Sequence, residues 1–334
     1  MRTMRERGRQ GGFSIIELMV AVLLTLIITA AVVTLFTQSI RSSQEDDRYA
    51  RMQENGRFAI AGIAEELSMA HFWGSLVSMA SLTLVPNNLS AGEDCDLDLL
   101  STAEPIRFNG NHAGATVETF DPADGTCPDK IGDLQPGTDV IAIKRVAGTE
   151  TAAADREANR IYLRTNGTVG FLEKGSEAEV AGYKYWAFQP QIFYIASDVD
   201  PGPNEVPGLC RLTLDDSGAF PDFDADDCIA EGIEDLHVQF GIDTDADGVA
   251  NQYKSDPTAD ELETLVSARI HLLVRSTETV INYTNDKAYV LGDLPASETS
   301  GGADNDGVFD DGYYRRVFTT TVLLRNPVNL AQLN

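Results

Sequence analysis

The sequence predicts an α+β protein, in which a long N-terminal helix starts within a membrane and runs onto a β-rich extracytoplasmic head built on antiparallel sheet. Three observations predict it. Gly11 to Phe36 reads GGFSIIELMVAVLLTLIITAAVVTLF, apolar enough to cross a bilayer. Apolar residues then keep helical spacing well past that run, and from about Ala80 onward the pattern changes to short segments of period-two alternation separated by turn residues.

The apolar run comes first. Leu18 to Phe36 carries no charge, and at about 1.5 Å per residue it makes roughly 28 Å of helix, enough to span hydrocarbon. Arg2, Arg5, Arg7 and Arg9 precede it, which predicts a cytoplasmic N-terminus and an extracytoplasmic remainder. Ala30 and Ala31 offer a small-residue cleavage site, so an ordinary secretory signal is the alternative. Downstream, Met52, Ala59, Ile60, Ile63, Leu67 and Ala70 recur at intervals of three, four or seven, a stripe for packing on the head. One helix from about Phe13 to about Phe72 is expected, on the order of 90 Å if straight. Gly56 and Gly62 lie inside it and would soften it, and no proline occurs before Pro86.

The strands expected in the head are TDVIAIKRV, NRIYLR, KYWAF, QIFYIA, LCRLTL, LHVQFGI, ARIHLLVR and RRVFTTTVLLR. In the seventh, Ala268, Ile270, Leu272 and Val274 fall on one face, with Arg269, His271 and Arg275 on the other. Polar loops separate the strands, notably Pro201 to Pro207 and Ser297 to Gly312, and no solenoid-period repeat is present.

Charge narrows the function classes. With 25 Lys+Arg against 52 Asp+Glu the formal net charge is −27. Such a field repels phosphate backbones, which argues against nucleic-acid binding, and it gives the head no attraction to anionic membrane surfaces. No HExxH or GxSxG motif occurs, and GFLEKGS at Gly170 departs from a phosphate loop at Ser176, where lysine is required. No enzymatic activity is expected.

Cys95, Cys127, Cys210 and Cys228 all fall on the extracytoplasmic side, where an even count predicts two disulfides. Of three pairings, Cys95–Cys127 and Cys210–Cys228 are favoured because each closes a local loop, worth roughly 3 kcal/mol apiece. A zinc site fits poorly, since no pair has short ligand spacing and His71, His112, His237 and His271 are scattered. DTDADGVAN is the sharpest ligand candidate. Asp243, Asp245 and Asp247 alternate before Gly248 as in the first half of an EF-hand-like calcium loop, with the Val249 carbonyl and Asn251 at positions seven and nine. Position twelve is Lys254 in place of the bidentate glutamate, leaving Asp256, Asp260 or Glu261 to supply oxygens, and a solvated acidic turn explains the same pattern without an ion. A second acidic stretch surrounds Asp304 and Asp306. No cofactor is required; calcium is the one candidate.

Glu17 is the anomaly, because a carboxylate at the centre of a spanning helix costs about 2.5 to 3.5 kcal/mol on insertion scales and so has a partner, a role, or a route to the headgroups. RERGRQGGFSIIELMV resembles the N-terminus of type IV prepilins and of type II secretion pseudopilins. The resemblance implies cleavage of the Gly12–Phe13 bond by a membrane prepilin peptidase, N-methylation of Phe13, and pairing of Glu17 with the cationic N-terminal amine of a neighbouring subunit. GLCRLTL, IEDLHVQFGIDTDADG and RRVFTTTVLLRNP are similar to the PilW family of minor pilins. That likeness implies a leader over 1–12, a long helix over 13–80 with 13–36 in the inner membrane, and a periplasmic head over 81–334. It also implies a role in initiating pilus assembly within a tip complex. The implied partners are other minor pilins, pilus tip proteins, the prepilin peptidase and the inner-membrane assembly platform. The alternatives are a large type II secretion pseudopilin, a branch whose largest members usually lack the membrane glutamate, and a membrane-anchored calcium-dependent adhesin.

Overall fold

The computed structural model describes residues 12–77, 82–84, 106–109, 134–200, 205–214, 227–258, 264–296 and 308–324, together with residues 202, 261, 299 and 326. The chain divides into two compact units, Met1–Tyr49 and Ala50–Asn334. One helix, α1 (Ile15–Met69), runs through the boundary without interruption.

In the first unit the apolar side chains of α1 from Ile15 to Phe36 are all exposed, as a lipid-facing surface requires. Its hydroxyls are satisfied locally. Thr25 Oγ1 donates to Ala21 O at 2.7 Å, Thr29 Oγ1 to Thr25 O at 2.7 Å and Thr34 Oγ1 to Ala30 O at 2.9 Å. A hydroxyl bonded to the preceding turn needs no water, so it is compatible with hydrocarbon.

In the second unit Met52, Gly56, Ala59, Ile63 and Leu67 form the buried face of α1, with Ala70 buried just beyond its end. This is the expected stripe with Gly56 added and Ile60 only partly buried at its margin. A Cβ on Gly56 would lie 2.7 Å from the Phe318 ring, so this glycine permits close approach of helix and sheet. The helix stops at Met69, short of the expected Phe72 to Ala80. His71 adopts a left-handed φ of 62°, and its N–H donates to Lys144 O at 2.9 Å. That backbone bond diverts the chain even though apolar spacing continues. Arg145 fastens the helix, donating from Nε to Glu66 Oε2 at 2.6 Å and from Nη2 to Glu66 Oε1 at 2.9 Å.

Among the described residues the head holds three sheets. The first, in order β1–β5–β4–β6, contains β1 (Leu82–Leu84), β4 (Ile161–Thr165), β5 (Gly170–Lys174) and β6 (Lys184–Ala187). The second, β2–β3–β7–β8–β9, contains β2 (Ile106–Asn109), β3 (Val140–Ile143), β7 (Gln191–Ala196), β8 (Gly208–Thr213) and β9 (Cys228–Glu231). The third, β11–β10–β12–β13, contains β10 (Ile233–Ile242), β11 (Gln252–Lys254), β12 (Leu265–Arg275) and β13 (Arg315–Leu323). Pairing is antiparallel except between β1 and β5, where Leu82 lies opposite Gly170 in parallel register.

All eight expected strands form. GFLEK, which begins the stretch that departs from a phosphate loop at Ser176, is β5, a partly buried strand opposite β4. The main core lies where α1 meets one face of the second and third sheets, through Ile141, Phe193, Leu209, Leu236, Val238, Ala268, Ile270, Leu272 and Val274. Ala268, Ile270, Leu272 and Val274 of β12 face this core as the alternation predicted, and Leu273 joins a smaller cluster with Leu291, Leu294 and Phe309 on the other face. Cys210 and Cys228 face each other across β8 and β9 and form a disulfide, the expected pairing. Cys95 and Cys127 lie outside the described residues, as do Asp260, Asp304 and Asp306.

Candidate functional site

The residues of the expected cleavage bond lie ahead of the helix. Gly12, Phe13 and Ser14 precede the helix, so the Gly12–Phe13 bond lies outside its hydrogen-bond ladder. Phe13 is 84% exposed, and nothing among the described residues lies within 4 Å of where a Gly12 Cβ would stand. Ser14 O accepts the first helical bond, from Leu18 N at 3.1 Å. Glu17 therefore sits in the first turn, where free N–H groups and the positive end of the helix dipole favour an acid.

The acidic loop joins β10 to β11. Asp243 leaves β10 with its carboxylate turned back into the loop, where Oδ1 accepts from Asp245 N at 3.2 Å and Ala246 N at 2.7 Å, and Oδ2 from Gly248 N at 2.7 Å. Burial pushes this carboxyl up, but the amides of Gly248, Asp245 and Ala246 outweigh it and hold it below the usual range. Ala246 and Gly248 take left-handed φ values of 61° and 85°, which turns their amides inward. Asp243, Asp245 and Asp247 each offer an oxygen within 4.8 Å of the others.

The remaining donors diverge from a calcium loop. Asn251 Oδ1 accepts from Thr244 N at 2.6 Å and Thr244 Oγ1 at 3.0 Å. Lys254 binds Glu261, whose Oε2 also accepts from Thr258 N at 2.9 Å. The residues present thus fit the first half of an EF-hand-like site, and a cation stands where its last ligand would be. The loop's own amides meanwhile satisfy Asp243 without an ion.

A polar cluster on the third sheet has no counterpart in the sequence reading. His237, on β10, is buried between two carboxylates, with Nδ1 3.1 Å from Asp139 Oδ2 and Nε2 2.9 Å from Asp293 Oδ1. Asp139 Oδ2 also accepts from Val238 N at 2.8 Å, and Ser255 Oγ donates to Asp293. Burial disfavours the imidazolium, but the hydrogen bonds and charges of Asp139 and Asp293 prevail and raise His237 to about 9. Its neighbour His271, ring centroid 6.1 Å away, is lowered to about 4 by burial first, then by the charges of His237 and Arg269. His271 bonds to Gln239 Oε1 and Thr319 Oγ1 at 3.1 Å each, so the two rings occupy one polar layer in opposite protonation states. Ser255 thus adds its segment to the cluster through Asp293, an order that ties β10, the residues before β3 and the loop after β12 together.

Two family models match the chain. The model described as type IV Pilus-assembly protein W matches residues 192–326, and the prokaryotic N-terminal methylation motif matches residues 7–33. No curated protein matches. A solved type IV-like pilin from Thermus thermophilus is similar at 11% identity over 58% of this chain and 81% of its own, with a TM-score of 0.29. The first match runs from β7 through β13 and contains the acidic loop and His237, and the second contains Gly12, Phe13 and Glu17. With a membrane-type helix at one end and PilW-type sheet at the other, this chain is similar to type IV pilin-like proteins of the PilW family over residues 7–33 and 192–326.

Proposed function

We propose that the protein is a minor type IV pilin that is cut by prepilin peptidase between Gly12 and Phe13, methylated on Phe13, and used to initiate pilus assembly in a tip complex. The observation that carries the reading is the division of labour along α1. Its first unit exposes an apolar surface with Glu17 in the opening turn, and its later turns are buried in the head. A helix built this way leaves its N-terminal surface free for equivalent helices, where Glu17 would neutralise a neighbour's terminal amine. The head, periplasmic before assembly, docks on partner heads, and the process needs association and no catalysis. Other minor pilins, tip proteins and the inner-membrane assembly platform are the partners.

The test is deletion of the gene with piliation as readout, joined to N-terminal mass spectrometry of the complemented protein. Loss of pili and a mature start at Phe13 support the reading. A mature start near Ala31 would identify an ordinary signal peptide and remove it. The clustering of Asp243, Asp245 and Asp247 favours one second reading, a calcium-dependent adhesive head on the same anchor. Normal piliation in the deletion strain together with calcium-dependent surface binding by the protein would select it.

A further inference from the structure

A tight turn, Leu291–Leu294, lies on the face of the third sheet turned away from the main core. Leu294 N donates to Leu291 O at 3.0 Å, and Gly292 takes a left-handed φ of 65°. A Cβ on Gly292 would lie 2.6 Å from Gln239 Oε1 and 2.8 Å from His271 Nε2, so the backbone of the turn rests directly on the polar layer. Leu291 and Leu294 are buried against Leu273 and Phe309, and Asp293 reaches between them to His237.

Donors and acceptors decide which state of His237 this closure needs. Both ring nitrogens face carboxylate oxygens, Asp139 Oδ2 on one side and Asp293 Oδ1 on the other, and an ionised carboxylate only accepts. An imidazolium donates from both nitrogens, whereas a neutral ring donates from one and turns a lone pair on the other carboxylate. The two carboxylates are not equally held. Asp139 is fully buried and also accepts from Val238 N at 2.8 Å, so it keeps the proton that remains. Asp293 is half-exposed, and its other bond, from Ser255 Oγ, lies at the surface where water competes. His271 is the contrasting case, because Gln239 Oε1 accepts from one nitrogen and the Thr319 hydroxyl donates to the other, which suits a neutral ring. Among the described residues, the remaining charged groups near His237 on this face are Asp235, two residues back along β10, and Arg269, two residues from His271 on β12.

We propose that the turn Leu291–Leu294 is a proton-dependent latch: it stays closed while His237 bridges Asp139 and Asp293 as an imidazolium, and it lifts from the sheet when that ring becomes neutral. Lifting bares Gln239, His271 and Leu273 and leaves the main core intact. Opening removes one of the two carboxylates that hold the ring at about 9, so the closed form keeps the proton more tightly. The open-to-closed ratio therefore climbs by up to about tenfold per pH unit as pH rises towards 9, and levels off above it.

The test is NMR of the full chain in detergent micelles between pH 6 and 10, with labelled leucine methyls reporting the turn and labelled imidazole nitrogens reporting His237. At neutral pH both nitrogens of His237 should carry protons. The Leu291 and Leu294 methyls should shift towards exposed positions over the range in which the ring loses its proton, while those of Leu209 and Leu236 in the main core stay put. His237→Gln should remove the response of the turn. Asp293→Asn is the sharper variant, since its amide accepts from an imidazolium or donates to a neutral ring; the turn should then stay closed throughout although the ring still titrates.

A neutral His237 at neutral pH would overturn the proposal, as would turn methyls that ignore the ring's titration. An open fraction that falls with pH would do the same, by showing that rehydration of the ring outweighs the lost carboxylate. Retention of the full pH response in Asp293→Asn would remove Asp293 as the catch. Movement of the Leu209 and Leu236 methyls together with the turn would replace the latch by unfolding of the whole head.

Discussion

His237→Gln tests the buried cluster on the third sheet through the pH dependence of stability. In the folded chain His237 is raised to about 9, against about 6.5 for an unperturbed imidazole. The folded state therefore holds this proton more tightly than the unfolded state does. Its contribution is fully present below about 6.5, fades as pH rises, and is lost above about 9. At about 1.4 kcal/mol per pH unit the gap corresponds to roughly 3 kcal/mol, an upper bound because Asp293 is half-exposed and solvent screens its share. Among the described residues, Asp139, Asp293 and His271 are titratable groups beside the ring. The assay is urea unfolding of the full chain in micelles at pH 6, 8 and 10. Trp73 and Trp186 report it, since both are buried in the head beside the first sheet. Other groups titrate over this range, so the quantity to read is the difference between parent and variant. The parent should lose up to about 3 kcal/mol more than His237→Gln between pH 6 and 10. Parallel loss in the two proteins would refute the assignment of a protonated His237. On the acid side the sign reverses. His271 and His71, both lowered to about 4, refuse protons that the unfolded chain accepts below about 6.5, so each subtracts stability as pH falls from there.

Glu17→Ala should leave membrane insertion intact and reduce incorporation into pili; wild-type piliation, in a strain that needs the subunit, would exclude pairing with a neighbour's amine. Asp243→Ala strips three loop amides of their acceptor and should destabilise the head by about 1–3 kcal/mol by thermal or urea unfolding, with or without chelator. If the loop also binds calcium, the parent's midpoint should rise with millimolar calcium and Asp245→Ala should cancel the rise; an unresponsive midpoint leaves a solvated turn. Gly56→Val must displace the Phe318 ring and should cost about 1–3 kcal/mol, whereas an unchanged midpoint would show that helix and sheet separate there at little cost. Non-reducing peptide mapping should recover Cys210 linked to Cys228 and Cys95 linked to Cys127; cross-linked pairs would contradict the local-loop pairing.

What was legible in the sequence followed the range of the interactions. The N-terminal site is local, with a cleavable glycine, an aromatic, an acid and an apolar helix in consecutive positions, so a linear motif contains it. The eight strands with clear alternation were equally local. β1, β2, β5, β9 and β11 are not among the expected strands, being three to five residues each and too short to carry an alternation, and β1 pairs in parallel with β5, which is distant in the sequence. The end of α1 was placed too late because apolar spacing continues to Ala70, while the stop is set by a bond from His71 to a distant strand segment. The His237 cluster could not be read at all. Its carboxylates lie 98 and 56 residues away, and only the sheet brings them to one ring.

If the chain assembles as proposed, the threonines of its apolar helix bear on how the subunits would find their height. Each hydroxyl of Thr25, Thr29 and Thr34 is spent on its own backbone, so a neighbouring helix meets a surface with no lateral hydrogen-bonding handle there. Packing alone lets apolar helices slide past one another in small steps of similar energy. A lone acid at the start of such a helix then acts as the single tooth on an otherwise smooth rod, and vertical registry between subunits would be decided at one level, by one charge.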